Sequence, residues 1–473
     1  MDMTLSRLRR YLAEPISIQS LVFVRVLFGA ILVWDCYRYF RYDRIGRYYV
    51  DTDLTFPYFG LDFIQPLPEP FIYWAWGAVG LFAFMIMIGA FYRVATIGFL
   101  VTFGYFFLLD RTQYLNHNYM VLLYAALLAI APANRAWSVD SWLRPDIRNL
   151  SIPRWPVFAL KLQTEVILIF AGIVKITDDW LRGEPLRMWM HARVDDVLIA
   201  PIFQYDWVLM SASIGTVALH CLGAPLLLWK RTRLPIFLIY CAFHVSNSVF
   251  FNIGIFPWLT IAVTTIFFAP DWPQRALRQA LSAFETVPPL TQDWSVVAGQ
   301  GARLSTPILG FLVVWFAVQL FLPVRQAFFP NMVGWTCDGH RFSWRMRIYD
   351  RDSEGYFHVV SADGTQEWFV DPAHYLSDRQ ARSVLTRTDL IHDFAQFLEA
   401  RMVSEGHEDA AVFAHIQKSL NGRPEQPFVD STFDLTSIEY KYFGPDHWVM
   451  PLQTRAAEDR IASWWPPLPL QKP

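Results

Sequence analysis

Amine, imidazole and amide side chains occur near one end of several apolar segments, where such groups could exchange protons or bind a polar ligand. Lys175 closes one of these segments, the pair at 116–117 (Asn-His) opens another, and His244 and Asn247 lie within a third. An ionisable group inside a membrane costs about 2.5–3.5 kcal/mol on insertion scales, so each of these side chains needs a reason to be there. Their convergence at one depth of a membrane would indicate a functional site.

The elements that would position these residues are apolar runs that could cross a bilayer as helices of roughly 17–25 residues. Nine runs are candidates, and because several are short the number of spans could fall to eight or seven. The nine runs cover residues 18–40, 71–91, 94–109, 114–131, 155–176, 207–229, 234–250, 253–269 and 306–324. With nine crossings and a cytoplasmic N-terminus, most basic clusters lie on the cytoplasmic side, as the positive-inside rule requires. The candidate residues then lie near the outer interface.

Composition supports a membrane protein. The chain has 473 residues, of which 54% are hydrophobic and only 17% charged, whereas a soluble chain usually carries roughly 25% charged residues. The formal net charge of −2 argues against a nucleic-acid partner, and four cysteines are too few for a disulfide framework. Residues 1–16 are basic but precede no short apolar run with a cleavage site, so we expect a cytoplasmic tail and not a signal peptide.

The sequence becomes more polar after the last apolar run. Strand-like stretches occur at 342–349, 356–360 and 366–370, with a turn at 362–364. Ser377 and Gln380 form a capping-box pattern, and a helix with one apolar face follows. The sequence therefore predicts a polytopic α-helical membrane protein with about eight or nine transmembrane helices, followed by an α+β extracytoplasmic domain. The expected divisions are a cytoplasmic tail at 1–16, a transmembrane domain at 17–325 and the extracytoplasmic domain at 326–473.

Each candidate residue also has a purely structural explanation. A lysine such as Lys175 near a helix end commonly extends its amine to the lipid headgroups, and the Asn-His pair at 116–117 could be an interfacial cap. His244 and Asn247 lie three residues apart on one helical face and could bond one helix to another. His220 is isolated in an apolar run and is interpreted as a buried histidine with satisfied hydrogen bonds.

Other kinds of site lack their sequence signatures. No His-x-x-x-His or Cys-x-x-Cys spacing occurs, and the cysteines are scattered, so no metal site is expected. There is no glycine-rich phosphate loop and no serine in a nucleophile elbow. Asp178 and Asp179 form an acidic pair, but they open an amphipathic stretch, which is typical of a segment on a membrane surface.

Several segments, in order along the chain, carry a resemblance to a known family. They are Tyr-Leu-Asn-His at 114–117, Asn-Arg-Ala-Trp-Ser-Val-Asp at 134–140, Phe-Ala-Gly-Ile-Val-Lys at 170–175, Asp-Trp-Leu-Arg-Gly-Glu at 179–184, Phe-His at 243–244, Phe-Asn-Ile-Gly-Ile-Phe at 251–256, Phe-Ser-Trp-Arg-Met at 342–346, Ser-Leu-Asn-Gly-Arg-Pro at 419–424 and Trp-Val-Met-Pro-Leu at 448–452. Together they resemble the vitamin K-dependent γ-glutamyl carboxylase family, whose bacterial members share the horizontally transferred transmembrane (HTTM) domain. The resemblance covers the chain from about residue 18 to residue 452.

The resemblance implies an enzyme that oxidises a reduced naphthoquinone (vitamin K hydroquinone or menaquinol) with O2 to its epoxide. This oxidation would be coupled to carboxylation of peptidyl glutamate by CO2, with no metal. It further implies that Lys175 is the base that deprotonates the quinol and that His117, oriented by Asn116, assists the later steps. An ammonium cannot accept a proton, so Lys175 has to be neutral, and desolvation at a membrane interface is the available means. The residues expected to line the quinol or glutamate pocket are His244, Asn247, Trp180 and Tyr114.

The expected partners are the lipid bilayer, a lipophilic quinol that enters from it and a glutamate-containing exported peptide that arrives from outside. The expected location is the bacterial inner membrane. Two alternatives remain: a quinol epoxidase or oxidase without carboxylation, and a non-enzymatic transport or assembly factor. A transporter would favour inverted repeats, and none is seen. In animal members a disulfide joins the first outer loop to the tail domain, whereas Leu54 and Phe397 occupy the matching positions here.

Overall fold

The computed structural model describes residues 2–193, 195, 200–251, 253–282, 304–329, 331–440 and 446–453. Within these residues an apolar helix lies at each of the nine runs that the sequence predicts, and seven of them are long and apolar enough to cross a membrane. These seven are Gln19–Arg41, Phe71–Ile88, Tyr92–Leu109, Trp155–Ile173, Asp206–Leu226, Arg233–Phe250 and Thr306–Phe328, and the two shorter ones are Asn116–Ile130 and Phe256–Phe267. The prediction of a polytopic helical membrane protein is confirmed.

The first two apolar helices pack at close range because a glycine faces the neighbouring main chain. A Cβ atom added at Gly29 would lie 2.6 Å from the main-chain nitrogen of Met87, so any larger residue would push the helices apart. Near the same level the fully buried Arg25 donates hydrogen bonds to the carbonyl oxygens of Ala133 at 2.8 Å and Trp137 at 2.5 Å. These contacts fix the beginning of the first apolar helix against the residues that follow the fourth apolar helix.

The fifth apolar helix connects the two ends of the molecule. At its beginning, the strand Pro15–Ser17 pairs antiparallel with Ser151–Pro153 and holds the N-terminal helix Asp2–Ala13 in place. At its other end, the amine of Lys175 donates a hydrogen bond to the carbonyl oxygen of Met346, in the C-terminal part of the chain. A helix of 19 residues is about 28 Å long. The N-terminal helix and the C-terminal domain therefore lie at opposite ends of the bundle.

The C-terminal domain is built on a four-stranded antiparallel sheet. Its strands, in spatial order, are Glu367–Val370, Arg351–Val360, Ala411–Leu420 and Gln426–Pro427. The helix Thr388–Ser404 buries the apolar face that the sequence predicts, including Leu390, Phe394 and Leu398. The predicted capping box is also confirmed, because the main-chain nitrogen of Ser377 donates to the side chain of Gln380. Short α-helices elsewhere in the described residues are Val139–Leu143, Asp178–Leu181, Glu184–His191, Trp272–Ser282, Val333–Thr336 and Asp378–Val384.

One predicted strand, at 342–349, is wrong. Phe342, Trp344 and Arg347 have φ angles of 61°, 58° and 47°, which a β-strand cannot accommodate. The segment instead folds down onto the membrane helices, and the fully buried Trp344 stacks on Tyr119 with ring centroids 5.1 Å apart. The alternation of apolar and polar residues in this segment does not reflect two faces of a sheet, because the polar Ser343 is as fully buried as its neighbour Trp344. We call residues 342–347 the inserted segment.

A second set of contacts joins the two domains, because the first long loop of the membrane part packs into the C-terminal domain. Phe56, in the first long loop, is buried in the core of the C-terminal domain. The side-chain nitrogen of Gln380 donates to the carbonyl oxygen of Leu54 at 2.7 Å and to the carboxylate of Asp110 at 3.1 Å. Leu54 and Phe397 both pack against the same core. Packing and hydrogen bonds therefore join the first long loop to the C-terminal domain.

Candidate functional site

A cavity of about 570 Å³ lies where the inserted segment meets the ends of the membrane helices. Its volume is in the range of sites for small molecules and cofactors. Five of the residues selected from the sequence line this cavity, namely Lys175, Asn116, His117, Asn247 and Trp180. The structure thus brings together residues of three helices, Asn116–Ile130, Asp178–Leu181 and Arg233–Phe250, with Lys175 just beyond the end of a fourth.

Lys175 is buried two residues beyond the end of the fifth apolar helix. Its side chain does not reach lipid headgroups, because the amine donates to the carbonyl oxygens of Ala171 at 2.9 Å and Met346 at 3.1 Å. The amine also lies 5.3 Å from the ring centroid of Trp180. Within the described part of the chain, Lys175 forms no ion pair with a carboxylate. Removal from water without a counter-ion disfavours the ammonium form.

Asn116 is held by contacts on both sides of its amide. Its nitrogen donates to the carbonyl oxygen of Arg345 at 3.0 Å, and its oxygen accepts a hydrogen bond from the Tyr114 hydroxyl at 3.0 Å. That hydroxyl in turn accepts from the main-chain nitrogen of Phe342 at 2.7 Å. Lys175 and Asn116 therefore bind consecutive carbonyl oxygens of the inserted segment, those of residues 346 and 345.

His117 follows Asn116 on the same helix turn and faces the same cavity. Gly254 lies beside it, and a Cβ atom added at Gly254 would lie 3.7 Å from both His117 Nε2 and Arg38 Nη1. The imidazole and this guanidinium therefore border one open space. Because Gly254 has a φ angle of 62°, glycine suits the position conformationally as well.

Aromatic side chains form the apolar wall of the cavity. Trp180 is fixed by a hydrogen bond of 3.0 Å from its ring nitrogen to the carbonyl oxygen of Ser213, and Trp189 by one of 2.9 Å to the carboxylate of Asp350. Phe243, Phe251 and Phe256 complete this wall. Flat apolar surfaces beside a few oriented polar groups are the lining that an aromatic ring system requires.

Two of the residues selected from the sequence lie behind the cavity wall instead of lining it. Tyr114 uses its hydroxyl to position Asn116, as described above. His244 is 1% exposed and packs among the rings of Tyr240, Phe243 and Phe256, with both ring nitrogens lacking a hydrogen-bond partner. Its neighbour on the same helix face, Asn247, does reach the cavity. The helix turns one side chain inward against the aromatic rings and the other toward the open space.

His220, interpreted from the sequence as a structural histidine, lines the cavity. Its Nδ1 lies 2.8 Å from the carbonyl oxygen of Thr216. A carbonyl oxygen can only accept, so Nδ1 carries the proton and the neutral ring keeps Nε2 as a free acceptor. The local sequence gave no signal that His220 lines a cavity, because the cavity forms only where other elements pack around it.

Arginines are the other lining residues that sequence reasoning missed. They are Arg38, Arg44, Arg345, Arg347 and Arg379, and Asp35 is the one carboxylate among the lining residues of this cavity. Arg345 and Arg347 come from the inserted segment, whose course could not be read from local patterns. Arg379 comes from the helix Asp378–Val384 and lies with its charged group 5.5 Å from the ring centroid of Tyr48.

A buried ion pair fixes the C-terminal domain beside the cavity. Both oxygens of Asp179 accept hydrogen bonds from the Arg423 guanidinium, at 2.7 and 2.8 Å, and Asn421 donates a third at 2.8 Å. Burial alone would raise the pKa of Asp179, but the hydrogen bonds and charge of Arg423 outweigh it and lower that pKa below its ordinary value. The acidic pair predicted to lie on a membrane surface thus has one member that binds another domain.

Comparison with known proteins agrees with this architecture. The HTTM domain family matches residues 13–272, and the lumenal domain of vitamin K-dependent gamma-carboxylase matches residues 304–455. No solved structure matches the chain. Within the described residues, no group of three or more histidine, cysteine, aspartate or glutamate side chains could hold a metal ion. The HTTM match alone covers more than half of the sequence. The chain belongs to the vitamin K-dependent gamma-carboxylase family and is a carboxylase-like membrane protein that joins an HTTM domain to this family's lumenal domain.

Proposed function

We propose that the protein oxidises a reduced naphthoquinone with O2 to the epoxide and couples this reaction to carboxylation of glutamate in a peptide. The observation that carries the proposal is the buried amine of Lys175, held by two main-chain carbonyls in a cavity that it shares with Asn116 and His117. Both domain matches support a carboxylase of this kind.

The hydrogen bonds of Lys175 suit a base. A neutral amine has two N–H groups and one lone pair. The carbonyl oxygens of Ala171 and Met346 accept the two N–H groups, which leaves the lone pair to take a proton from a bound quinol hydroxyl. The absence of a carboxylate partner among the described residues keeps the amine from being held as an ammonium. Lys175 is therefore both oriented and available as a general base.

His117 and its neighbours would act on the second substrate. The His117 ring lies next to Arg38, so a glutamyl carboxylate in the space beside Gly254 would meet a cation and an imidazole together. Asn116, held by hydrogen bonds to Tyr114 and to the carbonyl oxygen of Arg345, fixes the beginning of the helix Asn116–Ile130 against the inserted segment. His220 Nε2 is a further acceptor on the wall, placed to receive a hydrogen bond from the quinol.

The aromatic wall fits the ring of the cofactor that the family uses, and Trp180, Trp189 and Phe251 would hold it. When bound, the quinol supplies through its reaction with O2 a base strong enough to remove a γ-hydrogen of glutamate, which no side chain can do. Overall, quinol, O2, CO2 and glutamate give epoxide, water and γ-carboxyglutamate. The protein's part is to deprotonate the quinol, to keep water out and to hold the glutamate.

We also propose the setting of the reaction. The N-terminal helix would lie in the cytoplasm and the C-terminal domain outside a bacterial inner membrane, since the two lie at opposite ends of the fifth apolar helix. The quinol would enter from the bilayer, and an exported peptide would reach the cavity from the side of the C-terminal domain.

The test incubates the purified protein with a reduced naphthoquinone, O2, ¹⁴C-bicarbonate and a glutamate-containing peptide. We expect epoxide formation and radioactivity in the peptide, both lost in Lys175→Met. Epoxide without labelled peptide would favour a quinol epoxidase without carboxylation. Neither product, in a protein that remains folded, would contradict the proposal and favour a transport or assembly role.

A further inference from the structure

The two tryptophans of the cavity wall are linked to the C-terminal domain through two carboxylates. The ring nitrogen of Trp189 donates to the carboxylate of Asp350 at 2.9 Å. Trp180 directly follows Asp179, whose carboxylate accepts a hydrogen bond of 2.8 Å from the side-chain nitrogen of Asn421. Asp350 and Asn421 lie at the same end of the four-stranded sheet, each one residue outside a paired strand. Two points of the wall therefore depend on one end of this sheet.

Asn421 joins these two links. Its side-chain oxygen accepts a hydrogen bond from the main-chain nitrogen of Asp350 at 2.9 Å, and its main-chain nitrogen donates to the carbonyl oxygen of Asp350 at 2.9 Å. The residue is buried, and both ends of its amide are used, one on Asp350 and the other on Asp179. This arrangement requires an acceptor and a donor on one short side chain, which asparagine has and aspartate lacks when ionised.

The turn that begins with Asn421 packs against the membrane part. Asn421 and Gly422 have φ angles of 51° and 72°, the left-handed conformation that asparagine and glycine adopt most readily. A Cβ atom added at Gly422 would lie 3.4 Å from the sulfur of Met188, in the short helix that carries the second tryptophan. Arg423 completes the turn with the ion pair described above. We call residues 421–423 the docking turn, because it contacts both short helices of the wall.

We propose that Asn421 is a positioning residue that sets the distance between Trp180 and Trp189 and thereby the affinity of the cavity for the naphthoquinone ring. This inference rests on the proposed function, because it assigns that wall to the quinol. Asn421 would act through Asp179 and Asp350, since none of these three is among the described residues that line the cavity. A flat ring is bound through many weak contacts that weaken when two surfaces separate by about 0.5–1 Å, so a small displacement of either indole should lower the affinity.

The docking turn should affect binding of the quinol more than its deprotonation. The Lys175 amine is held by the carbonyl oxygens of Ala171 and Met346, and neither bond involves the docking turn. A quinol that has bound should therefore still lose its proton at nearly the parental rate. Loss of the Asn421 amide should raise the Kd and the KM for the naphthoquinone and change kcat little.

The test uses Asn421→Gly, which removes the amide but keeps a residue that adopts the left-handed conformation without strain. The full-length protein in nanodiscs is titrated with menadione, an oxidised naphthoquinone, so that no turnover occurs. KM and kcat are measured in parallel with the reduced form. We expect the Kd and the KM to rise at least about fivefold, which corresponds to about 1 kcal/mol. We expect kcat to stay within about twofold of the parental value.

Asp350 allows a conservative comparison. Asp350→Ala removes the acceptor of the Trp189 ring nitrogen and should weaken menadione binding. Asp350→Asn keeps a side-chain oxygen that can accept the same hydrogen bond, so it should lose less affinity than Asp350→Ala. In a Trp189→Leu background, Asp350→Ala should cost little further affinity, because the ring on which it acts is gone.

The matched control is Asp363→Gly, in the turn between two strands of the same sheet. The Asp363 side chain accepts a hydrogen bond from the main-chain nitrogen of Thr365 at 3.1 Å, and it lies outside the cavity. This variant should lower the midpoint of thermal unfolding without changing the affinity for menadione. A loss of affinity as large as that in Asn421→Gly would show that general destabilisation causes the effect, and would overturn the inference.

The outcomes separate this inference from the proposed reaction. Parental affinity for menadione in Asn421→Gly, or a fall in kcat with an unchanged Kd, would overturn the inference. If the affinity depends on Asn421 and Asp350 but the parent forms no epoxide from the quinol, the positioning role stands and the proposed reaction fails.

Discussion

The amine of Lys175 and the carbonyl oxygen of Met346 lie 3.1 Å apart, although the two residues belong to different domains. The proposed base is thus positioned partly by its own helix, through Ala171, and partly by a segment that comes from the C-terminal domain. The membrane helices alone do not complete the cavity, because Arg345, Met346 and Arg379 also line it. Contacts that hold the two domains together should therefore affect catalysis as well as stability.

Replacing Lys175 by methionine should lower the rate of quinol oxidation by at least about 100-fold, because a positioned general base typically contributes 10²–10⁴-fold. The matched control is Lys161→Met, which changes a lysine within the helix that precedes Lys175. Lys161 lies outside the cavity, and its amine contacts the carbonyl oxygen of Phe267. The measurement is the initial rate of oxidation of a reduced naphthoquinone. A Lys175→Met protein as fast as the parent would show that another group is the base.

Replacing Tyr114 by phenylalanine should reduce turnover without blocking folding, because its hydroxyl positions Asn116 and binds the main-chain nitrogen of Phe342. Leaving that nitrogen unpaired should cost roughly 1–3 kcal/mol of stability. Tyr105→Phe is a suitable control. Its hydroxyl likewise accepts from a main-chain nitrogen, that of Leu67, and donates to a carbonyl, but it lies outside the cavity.

Kinetics and thermal unfolding of the two tyrosine variants distinguish positioning from stability. We expect a smaller loss of thermal stability in Tyr105→Phe, whose exposed partners can bond to water, and a loss of turnover in Tyr114→Phe alone. Equal turnover in the two variants would mean that the Tyr114 hydroxyl has only a structural role.

Removing Arg423 should destabilise the junction between the domains. Arg423→Gln leaves the buried carboxylate of Asp179 with one remaining donor, Asn421, and loss of one partner of a buried pair costs of order 3 kcal/mol. We expect a lower midpoint of thermal unfolding and faster proteolysis between the domains. The double variant Asp179→Asn with Arg423→Gln should recover part of the loss, because it leaves no unpaired charge.

The exposed pair Arg401–Glu405 provides the comparison for this prediction. Arg401→Gln should produce no measurable shift of the unfolding midpoint, since such pairs contribute little. If Arg423→Gln behaved like Arg401→Gln, the ion pair with Asp179 would not hold the domains together.

The stability of the C-terminal domain should rise with pH because of Lys418. Burial lowers the pKa of Lys418 from 10.5 to about 7, and its amine donates to the carbonyl oxygens of Trp335 and Thr386. Between pH 7 and 10.5 the unfolded chain holds a proton at this residue that the folded chain does not. Stability therefore increases with pH through this window, by at most about 1.4 kcal/mol per pH unit, and the gain is lost as the pH falls from 10.5 to 7, below which both states hold the proton.

The measurement is the unfolding midpoint of the full chain from pH 6.5 to 9, compared between the parent and Lys418→Met. The methionine variant should show a smaller rise with pH, because it has no proton to bind. Lys230→Met, at an exposed lysine, should keep the slope of the parent. A slope that is the same in Lys418→Met and the parent would contradict the assignment.

The order of the apolar helices could be predicted because length and hydrophobicity determine which segments cross a membrane. The convergence of Lys175, Asn116 and His117 followed from the same reasoning, since all three lie at span ends. Arg347 and Arg379 could not be predicted, because they reach the cavity only through the fold of the C-terminal domain. The strand predicted at 342–349 was wrong for a local reason. The alternating residues of the inserted segment resemble a strand, but Phe342 and Trp344 have positive φ angles.

Because the acceptor that holds the Lys175 amine is a main-chain oxygen, the side chain at position 346 is not needed for that bond. The same is true of Asn116, which binds the carbonyl oxygen of residue 345 and not its guanidinium. Substitutions at positions 345 and 347 should therefore leave both bonds intact, because the backbone supplies the same acceptors whichever side chains flank it. The lining of the cavity at these two positions can vary independently of the contacts that hold Lys175 and Asn116.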